Sequence, residues 1–279
     1  MKICTIASGS SGNSTFISDG ETSVLVDAGI NAKRIGEALA DIGEAPENLS
    51  ALLITHEHSD HISGAGVIAR RYKIPIYANV RTMDALVAMK ITHKIEPGKL
   101  IVFENGVDFI VGTMVVKAFS IPHDAVDPVG FSLTGCGGTK ISVSTDMGCV
   151  TEEVMKNILG SAAVVLEANH DLEMLRTGPY PYYLKKRILG KSGHLCNDDA
   201  ATVAERLAAS GTKRIILGHL SSENNLPEKA LEAVTAAVYG GGKTSDPGTD
   251  LADNDPADNT SGCMITVAPR FVHGEVFLC

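Results

Sequence analysis

The densest group of metal-ligand side chains in this 279-residue sequence lies at 56–61, which reads His-Glu-His-Ser-Asp-His and directly follows a short apolar stretch. Imidazole nitrogens and carboxylate oxygens are ligands that suit zinc, manganese and iron. His56 and His58 are two residues apart and point to the same side of an extended segment, whereas Asp60 and His61 follow a bend. One ion does not need four ligands from six residues, so the segment predicts half of a site for two metal ions.

Three further ligand-type residues each follow another apolar stretch, and these residues are His123, Asp146 and His219. In open α/β sheets, sites form beyond the carboxyl ends of the strands. Each residue taken alone is more often an ordinary turn residue. Together with the histidine-rich turn, they supply the remaining ligands that a hydrolytic two-metal site requires.

Short apolar runs and amphipathic segments predict the framework that positions these residues. Strands are predicted at 3–7, 15–18, 23–26, 51–54, 100–103, 107–110, 114–118, 130–133, 140–143, 164–167, 214–217, 264–267 and 275–278. Helices are predicted at 31–42, 62–71, 81–89, 198–209 and 227–239. This alternation indicates an α/β architecture with helices covering sheet faces. Gly, Asp, Asn, Pro, Ser and Thr dominate 240–262, which predicts a flexible surface loop.

Composition restricts the classes of function. The formal net charge of −9 argues against non-specific binding of nucleic acid or anionic membrane, but bound divalent ions would reverse the local charge at a nuclease site. No apolar run reaches the roughly 18 residues that a membrane span needs, and the first apolar stretch is too short for a secretory signal. The six cysteines are scattered without a CxxC pair, which predicts buried free thiols. We therefore expect a cytoplasmic protein.

Taken in order, Leu-Val-Asp-Ala-Gly at 25–29, the histidine-rich turn and the three later ligands resemble the metallo-β-lactamase-fold hydrolases over nearly the whole chain. The resemblance implies a four-layer αββα sandwich of two mixed β-sheets flanked by helices, forming a single domain over 1–279. It also implies how the ligands divide: His56, His58 and His123 on one ion, Asp60, His61 and His219 on the other, and Asp146 bridging both. Asp27 would orient the ligand turn by hydrogen bonding.

Other motifs are similar to the YycJ/WalJ branch of that family, which is related to the β-CASP nucleases but lacks their inserted domain. They are the glycine-serine loop at 8–14, the stretch 167–197 and the His-Leu-Ser-Xaa-Xaa-Asn-Asn run at 219–225. This resemblance implies 5′-to-3′ exonuclease action on DNA, with a hydroxide held between the two ions. It implies catalytic roles for His194 and Glu167. We also expect Asp60 to orient the hydroxide as well as bind metal, and His170 either to take part in the site or simply to cap or brace it.

Candidate substrate-binding residues fall in two segments. The glycine-serine loop lets backbone amides approach an anion and carries Ser8, Ser10, Ser11 and Asn13, although an ordinary tight turn is an equal alternative. The basic run Lys185, Lys186 and Arg187 would neutralise backbone phosphates, with a solvated helix face as its alternative. The neighbouring tyrosines, Tyr180, Tyr182 and Tyr183, either stack on bases or pack against the fold.

Two other functions are compatible with the same ligands, because the fold hosts many hydrolases. One is a metallo-hydrolase of a small thioester or lactone, and the other is a regulatory module that uses metal only for stability. The ligand types leave the two ions open among zinc, manganese and iron. Oligomeric state and the choice between DNA and RNA do not follow from the residues.

Overall fold

Short buried strands build the framework of the chain. The computed structural model describes residues 1–240 and 262–279, in which fourteen strands form two seven-stranded sheets. The first sheet has the order β14-β1-β2-β3-β4-β5-β6. Its strands are β1 (Lys2–Ala7), β2 (Ser14–Ser18), β3 (Ser23–Val26), β4 (Ala51–Leu53), β5 (Ile76–Asn79), β6 (Leu100–Phe103) and β14 (Phe277–Leu278).

The second sheet has the order β13-β12-β11-β10-β9-β8-β7. Its strands are β7 (Asp108–Val111), β8 (Met114–Ser120), β9 (Val129–Thr134), β10 (Lys140–Ser144), β11 (Ala163–Glu167), β12 (Arg214–Gly218) and β13 (Met264–Val267). Counted from β14 in the first sheet and from β7 in the second, three antiparallel pairings are followed by three parallel pairings. The two sheets therefore share one pattern, and both are mixed.

Helices cover the outer face of each sheet. The first sheet is covered by α1 (Ala32–Asp41), α3 (Ala65–Tyr72) and α4 (Val80–Ala88), and the second by α5 (Glu152–Ile158), α8 (Asn197–Ala209) and α9 (Pro227–Gly240). Three short helices lie in connections: α2 (Ser59–Ile62), α6 (Leu172–Thr177) and α7 (Tyr182–Ile188). No helix in the two described ranges is both long and apolar enough to cross a membrane.

Three apolar cores hold these layers together. Strand residues alternate between them: Val24 and Val26 of β3 pack between the sheets, whereas Leu25 packs under the helices of the first sheet. In β12, Ile216 faces the core between the sheets and Ile215 faces the outer helices. Strands that are buried on both faces read as continuous apolar runs. The predicted four-layer αββα sandwich is confirmed.

All thirteen predicted strands are present, with ends within two residues of the predicted ones. The predicted loop at 240–262 lies outside the described residues apart from its two ends. The prediction missed β5, α5, α6 and α7, which are short and contain polar residues. The six cysteines are free, as predicted, but the prediction that they are buried was right only for Cys4, Cys196 and Cys263.

The prediction of one helix at 62–71 was wrong, because the chain forms α2 and α3 with a break between them. Ser63 Oγ donates to the Gly29 carbonyl oxygen (2.5 Å), and Gly64 N donates to the Ala28 carbonyl oxygen (2.8 Å). These bonds attach the break to the loop that follows β3. The metal-ligand turn is thereby fixed against the neighbouring strand end.

We expect Gly29→Ala to lower the free energy of unfolding by about 2–3 kcal/mol, the cost of overpacking a tight contact. A Cβ atom on Gly29 would lie 1.6 Å from the Asp60 carbonyl oxygen and would push the ligand turn away from β3. Urea unfolding measures the effect. The matched control is Gly98→Ala, whose Cβ meets nothing within 4 Å, so its stability should stay within about 0.5 kcal/mol of wild type. Equal stability of the two variants would contradict this account.

Candidate metal centre

The predicted ligands meet at one edge of the sandwich, where strands of both sheets end. His56 and His58 follow β4 of the first sheet, and Asp60 and His61 lie in α2. The remaining ligands follow β8, β10 and β12 of the second sheet, and they are His123, Asp146 and His219. Because the sheets pack face to face, residues far apart in sequence converge here.

Three residues at this edge have a left-handed backbone conformation: Asp27 (φ 62°), Asp146 (φ 62°) and His219 (φ 54°). This region is unfavourable for residues other than glycine, although Asp and His adopt it more often than most. Hydrogen bonds hold two of these turns, since Asp27 N donates to the Leu53 carbonyl oxygen and His219 N donates to Ser8 Oγ (2.8 Å each). Such strain is typical of functional sites.

The first ligand group consists of three histidines, His56, His58 and His123, each of which offers a ring nitrogen within 4.8 Å of the others. His123 Nε2 lies 3.3 Å from His58 Nδ1. His56 Nδ1 contacts Thr55 Oγ1 (3.0 Å), but His56 Nε2 is buried without a hydrogen-bond partner in the described part of the chain. An unpaired buried nitrogen is costly. Converging imidazole nitrogens fit a divalent cation.

The second group contains Asp60, His61 and His219. Asp60 Oδ2 lies 3.5 Å from His61 Nε2 and 3.4 Å from His219 Nε2. Asp146 stands between the groups: its Oδ2 is 3.2 Å from His61 Nε2, and its Oδ1 is 3.3 Å from His219 Nε2 and 3.9 Å from His123 Nε2. This carboxylate therefore has the position that a bridging ligand needs.

Two buried carboxylates orient the histidines from behind. Asp27 Oδ2 lies 2.8 Å from His61 Nδ1, and Asp27 also accepts hydrogen bonds from the Thr55 amide (2.9 Å) and hydroxyl (2.8 Å). Glu167 Oε1 lies 3.0 Å from His219 Nδ1 and 2.8 Å from His194 Nδ1. A proton held on Nδ1 by a carboxylate leaves Nε2 available for a metal.

The charges of the site compensate one another. Although burial lowers the pKa of the His219 imidazole, the charge of Asp146 and hydrogen bonds to Asp60 and Glu167 outweigh it and raise that pKa to about 10. The pKa of His61 is also raised despite its burial, chiefly by the charge of Asp146. These histidines therefore hold protons among the carboxylates. A bound cation would take the place of those protons, so metal binding should release them.

The three expected catalytic residues occupy different positions. Although burial raises the pKa of Asp60, hydrogen bonds from His219 and His61 hold it well below its usual range, so Asp60 is an anionic acceptor. The side chain of His194 is 17% exposed and is open to a substrate. Glu167 is fully buried and also accepts hydrogen bonds from the amides of Met147 and Leu195, so it positions other residues and cannot touch substrate.

The glycine-serine loop divides into buried and exposed members. Ser8 is buried and accepts the His219 amide, and Asn13 Nδ2 lies 3.2 Å from Asp60 Oδ2, so both residues support ligands. Ser10 and Ser11 are exposed. Of the four predicted substrate-binding residues in this loop, these two are presented to solvent.

The basic run belongs to α7 and is partly committed to the fold. Lys185 Nζ donates to the carbonyl oxygens of Arg176 and Gly178 (2.7 Å each). Arg187 forms a bidentate pair with Asp124, the neighbour of His123. Lys186 is exposed and has no ion-pair partner among residues 1–240 and 262–279.

Some contacts of the site carried no distinct signal in the sequence. Asn169 Nδ2 donates to the His219 carbonyl oxygen (2.8 Å), and the Gly193 carbonyl oxygen lies 3.2 Å from His123 Nδ1. Glu57 stands among the ligands in sequence but turns away, because its Oε1 accepts the Val126 amide (3.0 Å). Asn169 and Gly193 lie within the stretch 167–197 that resembles the nuclease branch, and this is the one sequence feature that could have pointed to them.

His170 is buried, and neither ring nitrogen has a hydrogen-bond partner within the described ranges. Its backbone carbonyl accepts the Asn197 amide (2.9 Å). The bracing expected of this residue therefore comes from its backbone and not from its imidazole. Burial lowers the pKa of the ring to about 4, so the ring is neutral near pH 7.

The fold and the ligand arrangement agree with a comparison of families. Residues 7–175 match the metallo-beta-lactamase superfamily, which is more than half of the chain. The chain belongs to the metallo-beta-lactamase superfamily. It is a metal-dependent hydrolase of that class.

Two relatives of known name and one solved structure are similar to this chain over most of its length. The exodeoxyribonuclease WalJ of Streptococcus pneumoniae is 42% identical over 230 residues, which are 82% of this chain and 85% of that protein. The exodeoxyribonuclease YycJ of Bacillus anthracis is 38% identical over 252 residues, 90% of this chain and 94% of that protein. The crystal structure of the metallo-beta-lactamase fold protein YhfI from Bacillus subtilis has a TM-score of 0.69 at 17% identity, covering 99% and 98% of the two chains. That likeness shows the fold.

Asp27→Asn should weaken metal binding about 10- to 100-fold, the usual cost of losing a carboxylate behind a histidine ligand. The neutral amide no longer fixes the proton on His61 Nδ1. Competition against a chromogenic chelator measures the affinity. The control is Asp19→Asn, because Asp19 accepts the Thr22 amide (2.8 Å) at the opposite end of β3. Unchanged affinity in Asp27→Asn would refute the supporting role.

Acidification should lower the stability of the folded chain, because the buried imidazole of His170 resists protonation. The unfolded chain protonates this ring below about pH 6.5, whereas the folded chain resists protonation down to about pH 4. The stability linked to the ring is therefore fully present above pH 6.5 and is lost as the pH falls toward 4, a loss of about 3 kcal/mol.

We expect His170→Gln to lose about 3 kcal/mol less than wild type between pH 7 and pH 4. Urea unfolding in chelator at several pH values measures the difference without a contribution from metal release. His93→Gln, at an exposed histidine, is the control and should follow wild type. Parallel pH curves for wild type and His170→Gln would show that the imidazole is not held neutral.

Proposed function

We propose that this chain is a cytoplasmic exodeoxyribonuclease that hydrolyses DNA phosphodiester bonds at a centre of two divalent ions, in the 5′-to-3′ direction. The observation that carries the two-ion proposal is the position of Asp146, with one oxygen 3.2 Å from His61 and the other 3.3 Å from His219 and 3.9 Å from His123. DNA as the substrate is supported by the exodeoxyribonucleases that are 42% and 38% identical to the chain. The direction is supported by the resemblance of 167–197 to that branch.

The donor set fits two ions. One would be held by His56, His58 and His123, the other by Asp60, His61 and His219, and both by Asp146. The unpaired Nε2 of His56 supports this assignment. Divalent ions bound here would make water acidic enough to provide a nucleophile near neutral pH and would withdraw charge from a phosphoryl oxygen.

Asp60 is suited to orient the attacking water. Its carboxylate is partly exposed and stays ionised, so it accepts a hydrogen bond and does not donate a proton. Asn13 Nδ2 lies 3.2 Å from Asp60 Oδ2 and 3.1 Å from His61 Nε2, and it limits the movement of both. A fixed acceptor next to the reacting oxygen keeps the water aligned for attack on phosphorus.

His194 is suited to serve the leaving oxygen. Glu167 Oε1 lies 2.8 Å from Nδ1 of the ring, so Nε2 is the nitrogen left to face a substrate. His194 would therefore donate a proton from Nε2 to the leaving oxygen, or stabilise the charge that develops there, while Glu167 acts through it as a positioning residue.

His58→Ala should reduce DNA hydrolysis by at least about 1,000-fold, because one of the three histidine ligands of an ion is lost. Release of nucleotides from 5′-phosphorylated duplex DNA with added manganese or zinc measures the activity. His93→Ala, at an exposed histidine outside the site, is expected to keep wild-type activity. Thermal melting of both variants checks folding. Turnover at the wild-type rate by folded His58→Ala protein would contradict the proposal of two metal ions.

A substrate panel separates the nuclease from the other two functions. Wild-type protein is assayed with DNA, a thioester and a lactone, with each metal and with chelator, while metal content is measured by elemental analysis. We expect DNA degradation that chelator abolishes. Turnover of the thioester or lactone without degradation of DNA would replace the nuclease by a small-molecule hydrolase. Melting in chelator without turnover of any substrate would favour a metal-stabilised binding module.

A further inference from the structure

One surface segment beside the centre has a composition unlike the rest of the chain. Residues 176–191 contain five basic residues and no acidic residue, in a protein whose formal net charge is −9. The segment also holds three of the six tyrosines of a chain that is 5% aromatic. Proteins that bind single-stranded nucleic acid combine basic side chains with aromatic rings on which bases stack.

Two of these tyrosines are not used for packing. Tyr182 is 81% exposed and Tyr183 is 74% exposed, side by side at the start of α7. The helix buries Ile188 at its other end, which leaves the tyrosine end open to solvent. Of the two alternatives that the sequence left open for these rings, packing against the fold is excluded for this pair. Tyrosine is enriched at interaction sites, because its ring is apolar and its hydroxyl is polar.

The helix is attached to the metal centre at two places. Arg187 pairs with Asp124, which adjoins the ligand His123. After the helix, the His194 amide donates to the Ile188 carbonyl oxygen (3.0 Å), and the Gly193 carbonyl oxygen lies 3.2 Å from His123 Nδ1. The tyrosines therefore have a fixed position relative to the centre.

Two lysines on this surface are free to bind phosphate. Lys185 and Arg187 already bond to the protein. Lys186 and Lys191 are exposed, and neither has an ion-pair partner in the described ranges. Positive charge beside exposed rings complements a nucleic acid strand, which alternates phosphates with bases.

We propose that Tyr182 and Tyr183 form a stacking platform for bases of the DNA strand whose terminal phosphodiester lies at the metal centre, and that Lys186 and Lys191 neutralise its phosphates. This inference rests on the nuclease function proposed above. The helix rises about 9 Å from Tyr182 to Ile188, whose carbonyl oxygen accepts the His194 amide, and about three nucleotides at 3.4 Å each cover that rise. The platform therefore holds bases a few nucleotides from the bond that is cleaved.

The test compares ring removal with ring retention in the metal-loaded enzyme. The double variant Tyr182→Leu/Tyr183→Leu should raise KM for 5′-phosphorylated DNA about 5- to 100-fold with kcat within about twofold, because base stacking is lost while the chemistry remains. The double variant Tyr182→Phe/Tyr183→Phe keeps both rings and should stay near wild type. Equal KM values for the leucine and phenylalanine variants would overturn the platform.

A second measurement tests whether the rings of Tyr182 and Tyr183 contact the bases of the DNA. An abasic residue is moved along the DNA one position at a time. Wild type should show raised KM when that residue lies a few nucleotides from the cleaved bond, and the leucine variant should lose this dependence. If the leucine variant binds DNA more weakly but responds to the abasic residue as wild type does, the rings do not stack on bases and the proposal fails.

The lysines have their own matched control. Lys186→Ala should raise KM for DNA and make KM less dependent on salt, because one phosphate contact is lost. Lys213→Ala removes an exposed lysine just before β12, at the opposite end of that strand from His219, and should change neither quantity. If KM for DNA depends on salt equally in wild type and in Lys186→Ala, Lys186 does not contact a phosphate and this part of the proposal is wrong.

A small phosphodiester distinguishes the two proposals. Bis(p-nitrophenyl) phosphate has no base for the platform, so the leucine variant should hydrolyse it as fast as wild type does. If wild type degrades DNA and the leucine variant degrades it equally well, the platform alone fails, and the exposed tyrosines point to a protein partner. If wild type hydrolyses neither DNA nor this phosphodiester, the nuclease proposal fails and the platform fails with it.

Discussion

Asp146 lies between two groups of imidazole rings, with its oxygens 3.2 Å from His61 and 3.3 Å from His219. It is almost completely buried, together with His56 and Glu167. Charged groups removed from water are stable only when opposite charge is close to them. The raised pKa values of His61 and His219 express that requirement, because protons take the place that cations would fill. The surrounding structure serves to hold this cluster in one arrangement.

Each of the two sheets places an aspartate at the metal centre in the same way. Asp27 follows β3 and Asp146 follows β10, and in each sheet this is the strand at which antiparallel pairing changes to parallel pairing. Both aspartates have φ of 62°. The two positions are thus equivalent, but one carboxylate supports a histidine from behind while the other lies among the ligands. Strand ends of both sheets converge because the core between the sheets brings them together.

Reaction class and substrate are separate questions in this fold. The ligand cluster accounts for metal-dependent hydrolysis and would serve an ester as well as a phosphodiester. Substrate choice depends on what surrounds it, and here a basic segment with two exposed tyrosines is attached to the loops of His123 and His194. The overall acidity of the chain makes that local positive surface more distinctive. DNA that is bound by bases and phosphates would be aligned before its terminal bond reaches the centre.

The sequence by itself determined the strand pattern and the types of ligand. Each apolar run that is buried on both faces can be recognised from the sequence alone, and a turn such as 56–61 needs only local spacing to be recognised. Tertiary structure decided the roles of Glu167, Asn13 and Ser8, which touch ligands from distant strands and do not face substrate. It also decided that the imidazole of His170 has no hydrogen-bond partner in the described part of the chain and that Tyr182 is exposed. The burial of polar side chains and the identity of their hydrogen-bond partners arise when separate segments pack together, and no local pattern in the chain encodes them.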